Sequence, residues 1–326
     1  MSATLVTGGA GYIGSHMVYA LLDRAEPVVV LDNLCTGFRN QVAAKAEFVE
    51  GDAGDRSLVR SLLNKYKIDA VVHFAGSVVV PESVEKPLKY YANNTMVSRA
   101  LCETCIEAGV ENFIFSSTAA VYGVPDVPFV DENSRQSPIN PYGRSKLMTE
   151  WILMDAAQAH DFRPVVLRYF NVAGADPLGR TGQSTRQATH LIKRAVQVAL
   201  GRRSHLDIFG TDFPTPDGTG VRDYIHVTDL VLAHLLALDA LRAGAKSGIF
   251  NCGYGRGLSV REIVTAVERV AECRIACHEA PRRPGDPPML VANSRRLQES
   301  LGWKPNHEDL DEMARSALEW ERRLPG

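Results

Sequence analysis

The chain has 326 residues, of which 45% are hydrophobic and 23% are charged, and its formal net charge at pH 7 is −2. This length is enough to bury the core of two domains or of one large α/β unit. Because the chain has no basic excess to neutralise phosphate backbones or lipid headgroups, we predict no nucleic-acid partner and no membrane association.

In chain order, the first half alternates short strand-like runs with segments about as long as a helix. The runs are "TLVTG" (4–8), "PVVVLD" (27–32), "FVEGD" (48–52), "AVVHFAG" (70–76), "NFIFSS" (112–117) and "PVVLRYF" (164–170). Such alternation is typical of βαβ units, in which parallel strands form a sheet that helices cover on both faces. We therefore predict an α/β fold with a Rossmann-type, doubly wound parallel sheet.

The second half is less regular and indicates a smaller α/β domain that binds a substrate. We predict a first domain at 1–170 and a second domain at 171–326. A segment near 222–244 is expected to return to the first domain. The elements expected after the first domain are a loop "FPTPDGTG" (213–220), an apolar helix (227–244), a helix that begins with a capping box of Ser259 and Glu262, a loop "APRRPGDPP" (280–288) and an amphipathic helix (309–323).

The six cysteines indicate neither a disulfide framework nor a metal site. Cys102 and Cys105 form a CxxC pair, but it lies inside a helical pattern and no second CxxC accompanies it. The N-terminal segment "MSATLVTGG" lacks the basic region and apolar run of a signal peptide, and no apolar run approaches the length of a membrane span. We therefore predict reduced cysteines, no metal ion and a cytoplasmic protein.

The first strand-like run leads into a glycine-rich loop, "TGGAGYIGSH". Gly8, Gly11 and Gly14 are spaced three apart and open a helical segment at 12–23. Glycines permit a tight turn and let backbone amides approach a pyrophosphate at the positive end of a helix. Such a triplet alone is a weak indication, but Asp32 ends the second run where a ribose-binding carboxylate is expected. Its charge would repel a 2′-phosphate, so we predict NAD rather than NADP.

The stretch "NPYGRSKLMTEW" places Tyr142 and Lys146 four residues apart at the start of a helix. Asn140 is a good N-cap and Pro141 suits the first helical position. The spacing stacks the phenol and the ammonium on neighbouring turns. Taken alone, such a pair is a half-buried tyrosine beside a solvated lysine about nine times in ten.

Motifs along essentially the whole chain resemble those of the extended short-chain dehydrogenase/reductase family, and within it those of UDP-hexose epimerases. They are the GxxGxxG spacing, "DNL" (32–34), "GD" (51–52), "FAG" (74–76), "YYANN" (90–94), "SSTAAVYG" (116–123), "YGRSK" (142–146), "RYFNVAGA" (168–175), "DGTGVRDYIHVTDL" (217–230) and "PRRPGD" (281–286). The resemblance implies a tightly bound NAD and the interconversion of UDP-galactose and UDP-glucose, by oxidation at C4, rotation of the 4-keto sugar and re-reduction on its opposite face.

The resemblance implies catalytic roles for Tyr142, Lys146 and Thr118. Tyr142 would take the proton of the sugar 4′-hydroxyl, and Thr118 would hydrogen-bond that hydroxyl. Moving a tyrosine from a pKa of about 10 to about 7 requires roughly 4 kcal/mol. Lys146 at about 5 Å would supply roughly 3 kcal/mol in an effective dielectric of about 20, and the positive charge of the oxidised nicotinamide would supply the rest.

The resemblance also implies which residues contact the cofactor and the substrate. Those expected to bind NAD are Gly8, Gly11, Tyr12, Ile13, Gly14, Asp32, Asn33, Leu34, Cys35, Thr36, Gly37, Asp52, Ala53, Phe74, Ala75, Gly76, Asn93, Ser116, Tyr142, Lys146 and Phe170. Those expected to bind the UDP-hexose are Thr118, Tyr142, Asn171, His190, Leu191, Asp207, Ile208, Phe209, Arg222, Arg283, Asp286 and Leu290. In the second set, the arginines would hold the diphosphate, Asp286 the ribose, and residues 207–209 the uracil.

Several rival functions can be compared residue by residue. Ala119 and Ala120 follow Thr118 where related 4,6-dehydratases carry an Asp-Glu pair, so a dehydratase is disfavoured. Leu290 falls where the family varies between a bulky tyrosine and a small residue, which leaves UDP-N-acetylhexosamines and UDP-uronic acids open as substrates. Val78 stands where some members carry a lysine that assists the cofactor. A non-catalytic NAD-sensing regulator would need the glycine loop but neither the Tyr/Lys pair nor the UDP-binding residues.

A homodimer is also implied by the resemblance. The helical segments 93–109 and 142–160 would pair with their copies in a four-helix bundle and bury faces rich in Met and Leu. The alternative is that these faces pack against the sheet of their own chain.

Overall fold

The computed structural model describes residues 2–127, 129–185, 188–283 and 285–325. Its strands are β1 (Ala3–Thr7), β2 (Val28–Asp32), β3 (Glu47–Glu50), β4 (Ile68–His73), β5 (Asn112–Thr118), β6 (Phe129–Val130), β7 (Arg163–Tyr169), β8 (Asn171–Ala173), β9 (Leu206–Phe209), β10 (Val221–His226), β11 (Gly248–Cys252), β12 (Gly257–Ser259), β13 (Cys277–Ala280) and β14 (Met289–Ala292). Its helices are α1 (Tyr12–Asp23), α2 (Arg56–Lys65), α3 (Val80–Glu85), α4 (Pro87–Tyr90), α5 (Val97–Glu107), α6 (Pro141–Ala159), α7 (Leu191–Ala199), α8 (Val227–Arg242), α9 (Val260–Ala271), α10 (Arg295–Leu301) and α11 (Leu310–Arg323).

A seven-stranded sheet with the order β11-β7-β5-β4-β1-β2-β3 is the largest in the part of the chain that the structure describes. Every neighbouring pair in it is parallel. Leu5 and Val6 are adjacent on β1 and both are fully buried, as expected for a strand that helices cover on both faces. The predicted fold class and its six strand-like runs are therefore confirmed.

Two layers of helices cover this sheet. On one face, α1 and α8 pack together over a core that includes Met17 and Leu238. On the other face, α2, α5 and α6 bury Leu62, Leu101 and Leu153. The helix α8 contacts β5 and β7 of the large sheet, and β11 pairs with β7 at its edge. The division of the chain at residue 170 stays a prediction.

The second half builds a smaller α/β unit. In it, β10 pairs with β8, β12 and β14, while β14 also pairs with β6, and β9 pairs with β13 in a separate ribbon. The helices α7, α9 and α11 share a core of their own. Ser259 accepts from the amide of Glu262 at 3.1 Å and donates its own amide to that carboxylate at 2.7 Å, which confirms the predicted capping box.

Apart from Ala280, which ends β13, the two predicted loops carry no helix or strand in their described residues, and Pro284 lies outside the residues that the structure describes. Within the four described ranges, no helix has both the length and the apolar character required to cross a membrane.

The sheet topology decides where the predicted site residues come together. Since β1, β2, β4 and β5 are parallel neighbours, their carboxyl ends meet at one edge of the sheet. The glycine loop follows β1, Asp32 ends β2, the segment 74–76 follows β4, and Thr118 ends β5. Ligands of open parallel sheets bind in the crevice at this edge.

Candidate active site

The glycine loop after β1 has no room for side chains at two of its three predicted positions. Gly8 has a φ of 71°, and a Cβ there would lie 2.6 Å from the amide nitrogen of Ala75. A Cβ on Gly14 would lie 2.2 Å from the carbonyl oxygen of Gly8. Gly11 is the N-cap of α1, with no side-chain cap on the first amides of the helix. The loop thus forms a backbone-lined cradle at a helix N-terminus, which fits a pyrophosphate.

Asp32 joins the glycine loop to the segment that follows β2. Its carboxylate accepts from the amide of Ala10 at 2.9 Å and from the amide of Leu34 at 2.8 Å. Gly37 closes against the same loop, because a Cβ there would lie 2.8 Å from the carbonyl carbon of Ala10. A buried carboxylate held by two amides has lone pairs left for ribose hydroxyls. Asp32 therefore positions both loops as well as offering the predicted contact.

The predicted cofactor residues of the next two loops lie at the same edge. The amide of Gly51 donates to the Asp32 carbonyl at 3.1 Å, which brings Asp52 and Ala53 beside the end of β2. Phe74 donates its amide to Thr7 at 3.0 Å, so its loop packs on the end of β1.

Asn94, which sequence reasoning missed, holds the loop that follows Gly76. It accepts from the Ser77 amide at 2.7 Å and donates to Ser145 at 2.9 Å, so it connects this loop to α6. The predicted Asn93 is exposed and donates to the Ser77 hydroxyl at 3.2 Å. The two consecutive asparagines in "YYANN" could have indicated this role. The sequence does not show, however, which of the two the helix turns toward the interior.

The helix α6 begins as the sequence predicts, with Asn140 accepting from the amide of Gly143 at 2.8 Å and Pro141 in the first turn. Lys146, which is buried, donates to the Ser116 carbonyl at 2.9 Å and lies 4.8 Å from the centre of the Phe115 ring. Burial lowers the pKa of Lys146 to about 8, and the carboxylate of Glu150 opposes this shift. The ammonium therefore stays mostly protonated at pH 7.

Tyr142 is partly buried and lies edge-on to Tyr90, with 6.4 Å between the ring centres. Burial raises the pKa of the Tyr142 phenol above its usual value, while a hydrogen bond with Thr118 lowers it in part. This burial, which is not visible in the spacing of Tyr142 and Lys146, opposes the ionisation of the phenol.

A buried ion pair, also missed from the sequence, supports this part of the site. Arg168 on β7 contacts the Glu150 carboxylate at 2.6 Å, and both side chains are almost fully buried. Glu150 also accepts from Ser117, the neighbour of Thr118 on β5. Arg168 continues to the Tyr122 hydroxyl at 3.1 Å. A charged residue in the otherwise apolar run of β7 was the signal that could have found this pair.

The predicted UDP-binding arginines come together in the second unit. Arg222 contacts Asp286 at 2.7 Å, and the guanidinium of Arg283 lies 3.8 Å from the centre of the Phe209 ring. Burial lowers the pKa of Arg283, and the nearby charges of Arg222 and Arg194 act in the same direction. Arg194 on α7 was not identified from the sequence. Arginines whose charges lower the pKa of a neighbouring guanidinium favour an anionic ligand such as a diphosphate.

The remaining predicted substrate residues lie on several elements. The His190 ring is 6.2 Å from the Tyr12 ring, so the start of α7 meets the glycine loop, and burial lowers the pKa of His190 to about 4. Asn171 is exposed at the start of β8. Leu290 and Phe170 belong to one buried cluster that also contains Leu147 of α6.

Comparison with known proteins identifies the family and the fold of the chain. The model of the NAD dependent epimerase/dehydratase family matches residues 4–253. The UDP-glucose 4-epimerase of Azospirillum brasilense is 58% identical over 98% of this chain and 92% of that protein. A structure of UDP-glucose-4-epimerase from Stenotrophomonas maltophila with bound NAD and formylated UDP-arabinopyranose is 40% identical, with a TM-score of 0.95 over 99% of this chain and 98% of that chain. The UDP-Glc/GlcNAc 4-epimerase of Campylobacter jejuni is 46% identical, with a TM-score of 0.87 over 99% of this chain and 100% of that chain.

Replacing Gly14 by alanine should damage the loop far more than replacing Gly11. A Cβ on Gly14 would lie 2.2 Å from the Gly8 carbonyl oxygen, whereas one on Gly11 would lie 3.2 Å from it. We expect Gly14→Ala to lose at least about 2 kcal/mol of stability, as overpacking against fixed backbone does, and to lose most of its bound dinucleotide. Thermal unfolding and chromatography of the nucleotide released on denaturation measure both. Equal melting temperatures for the two variants would contradict the steric explanation.

Proposed function

The chain belongs to the NAD dependent epimerase/dehydratase family, and from this membership we propose how its residues carry out UDP-hexose epimerisation. The enzyme interconverts UDP-galactose and UDP-glucose by NAD-dependent oxidation at C4, rotation of the 4-keto intermediate and re-reduction on the opposite face. The observation that carries this function is the full-length match to the Azospirillum brasilense UDP-glucose 4-epimerase. Tyr142 would carry out the proton transfer, and Arg222 and Arg283 of the second unit would hold the substrate.

The edge of the large sheet is where the chain would hold NAD. The backbone cradle of Gly8 and Gly14 fits the pyrophosphate, and the free lone pairs of Asp32 fit the ribose hydroxyls. When bound, NAD+ supplies the hydride acceptor for C4 of the sugar and a positive charge in the site. We propose that residues 1–170, with the return segment, provide these contacts and that residues 171–326 hold the UDP-hexose.

Tyr142 would be the base that takes the proton from the 4′-hydroxyl and later returns it. Thr118, whose hydroxyl lowers the pKa of that phenol in part, would pass the proton between the sugar hydroxyl and Tyr142. Lys146 keeps its charge at pH 7 and favours the phenolate electrostatically. Because burial raises the pKa of the phenol, the base would form only in the loaded enzyme, which prevents an unpaired buried anion in the free chain.

The second unit would hold the nucleotide while the sugar turns. Arg222 and Arg283 would bind the diphosphate, and Asp286, which already orients Arg222, would bind the ribose. Phe209 lies under Arg283 and would flank the uracil together with residues 207 and 208. Binding energy concentrated on the UDP allows the 4-keto sugar to leave one face and present the other without dissociation of the intermediate.

The same site supports a second class of substrate, the UDP-N-acetylhexosamines. Leu290 is buried beside Phe170 and Leu147, so its side chain limits the space on this side of α6. The Campylobacter jejuni relative, which is described as a UDP-Glc/GlcNAc 4-epimerase, favours this alternative.

We also propose a homodimer in which α5 and α6 pair with their copies. Met96 at the start of α5 and Met148 and Trp151 on α6 are exposed by 55%, 39% and 59%. Exposed large apolar side chains gathered on neighbouring helices are typical of an interface. A cytoplasmic location is proposed as well, because the six cysteines are free thiols and a reducing compartment keeps them so.

Tyr142→Phe should reduce the rate of conversion of UDP-galactose to UDP-glucose by about 10²- to 10⁴-fold, because the base is lost while the ring still fills its space. The rate is measured by a coupled assay for UDP-glucose without added nucleotide. Tyr19→Phe is the control, since Tyr19 contacts Arg180 away from this site. A Tyr142→Phe variant with an unchanged rate would show that another group takes the proton.

Leu290→Ala should raise kcat/KM for UDP-N-acetylglucosamine relative to UDP-glucose by about tenfold, because it frees space for the acetamido group. Met289→Ala is the matched control, because successive side chains of β14 point to opposite faces. The assay compares both substrates side by side. An unchanged ratio would mean that Leu290 does not limit the choice of sugar.

Trp151→Asp should raise the dissociation constant of the dimer at least about thirtyfold, as loss of a buried aromatic anchor does. Sedimentation velocity at micromolar concentration measures the effect. Leu178→Asp is the control, because Leu178 is 73% exposed but lies outside α5 and α6. If the wild-type protein sediments with the mass of one chain, the dimer proposal is wrong.

A further inference from the structure

The ribbon of β9 and β13 brings two histidines and a carboxylate to one face of the second unit. Asp207 on β9 lies directly opposite His278 on β13 in the parallel register. His205 precedes Asp207 by two residues, so its side chain points to the same side as that of Asp207. The three residues are partly or fully exposed, unlike the buried residues around Tyr142.

The three side chains are close enough to share one metal ion. One ligand atom from each of the three residues lies within 4.8 Å of the other two. The Nε2 atom of His205 is 3.4 Å from the Oδ1 atom of Asp207, and the two imidazole rings are 3.9 Å apart between their centres. Since the ligands are exposed, water can complete the coordination, as in other sites with three protein ligands.

A neighbouring hydroxyl orients the first histidine for this role. The Nδ1 atom of His205 lies 2.8 Å from the Ser204 hydroxyl. When Nδ1 donates this hydrogen bond, the Nε2 lone pair faces the Asp207 carboxylate, and two acceptors that face each other repel unless a cation lies between them. A protonated His205 paired with Asp207 is the competing arrangement, and it requires no metal.

We propose that His205, Asp207 and His278 bind one divalent transition-metal ion, with Zn²⁺ and Ni²⁺ as the best fits. Imidazole nitrogens with one carboxylate oxygen suit these ions, whereas Ca²⁺ and Mg²⁺ prefer sites built from oxygen alone. The ion would join the two strands of a small sheet, β9 and β13, through their side chains. Both strands lead directly into residues of the nucleotide site, since β9 ends at Phe209 and Arg283 follows β13. Its role is therefore to brace the ribbon.

The test uses the full-length protein without a polyhistidine tag, stripped of metal with a chelator and then dialysed. Titration calorimetry with ZnCl₂ at pH 7.5 should show one ion bound per chain, and the melting temperature should rise with zinc concentration. His278→Ala and His205→Ala should each weaken binding at least about tenfold. His160→Ala, which removes an exposed histidine outside the ribbon, should leave binding unchanged.

Two further measurements make the outcome decisive. CaCl₂ should give no binding at the same concentrations, and zinc binding should weaken at pH 5.5, because protonated imidazole cannot act as a ligand. Each variant is compared with the wild type in the absence of metal, where equal melting temperatures show that the fold is intact. No zinc binding to the wild type, or equal binding by the double variant of His205 and His278, would overturn the proposal.

Discussion

The burial of the Lys146 ammonium is the constraint on which the site depends. A buried charge must be satisfied by polar partners, and here the Ser116 carbonyl at the end of β5 provides the one that fixes its position. This contact fixes the position of α6 relative to β5. Tyr142, one turn earlier on the same helix, is then held beside Thr118. The hydrogen bond of the Lys146 ammonium thus positions Tyr142, the proposed base, and Thr118, the proposed proton relay. Apolar packing alone would tolerate small shifts of these side chains.

The ion pair of Glu150 and Arg168 also fixes the position of α6. It is nearly dry, with side-chain exposures of 1% and 3%, and it links α6 to β7, while Ser117 extends the link to β5. Breaking a buried pair leaves an uncompensated charge, so elements joined in this way move little relative to one another. The carboxylate also opposes the loss of the proton from Lys146, which connects the scaffold with the electrostatics of the site.

In the proposed mechanism, the two units bind their nucleotides by different physical means. At the edge of the large sheet, the glycine loop presents its backbone at the N-terminus of α1, and Asp32 presents one fixed carboxylate. In the second unit, long arginine side chains are held by Asp286 and by the face of Phe209. The first arrangement suits a cofactor that remains in place. The second suits a substrate that must enter, turn and leave, because side chains can release an anion more readily than a rigid cradle.

Local patterns determined much of this protein from the sequence alone. The strand-like runs, the cap at Asn140, the capping box at Ser259 and the glycine spacing all act over a few residues, so their structures follow from nearby chemistry. Only the tertiary structure decided that β11 joins the large sheet and that Arg194 lies near Arg283. It also decided that Asn94 is buried against Ser145 and Glu150 against Arg168. It also decided that burial dominates the pKa of Tyr142, and that His278 meets Asp207 across more than sixty residues of chain. These features depend on which distant segments the sheets bring together and on how much water they exclude, and neither quantity is contained in a local pattern of residues.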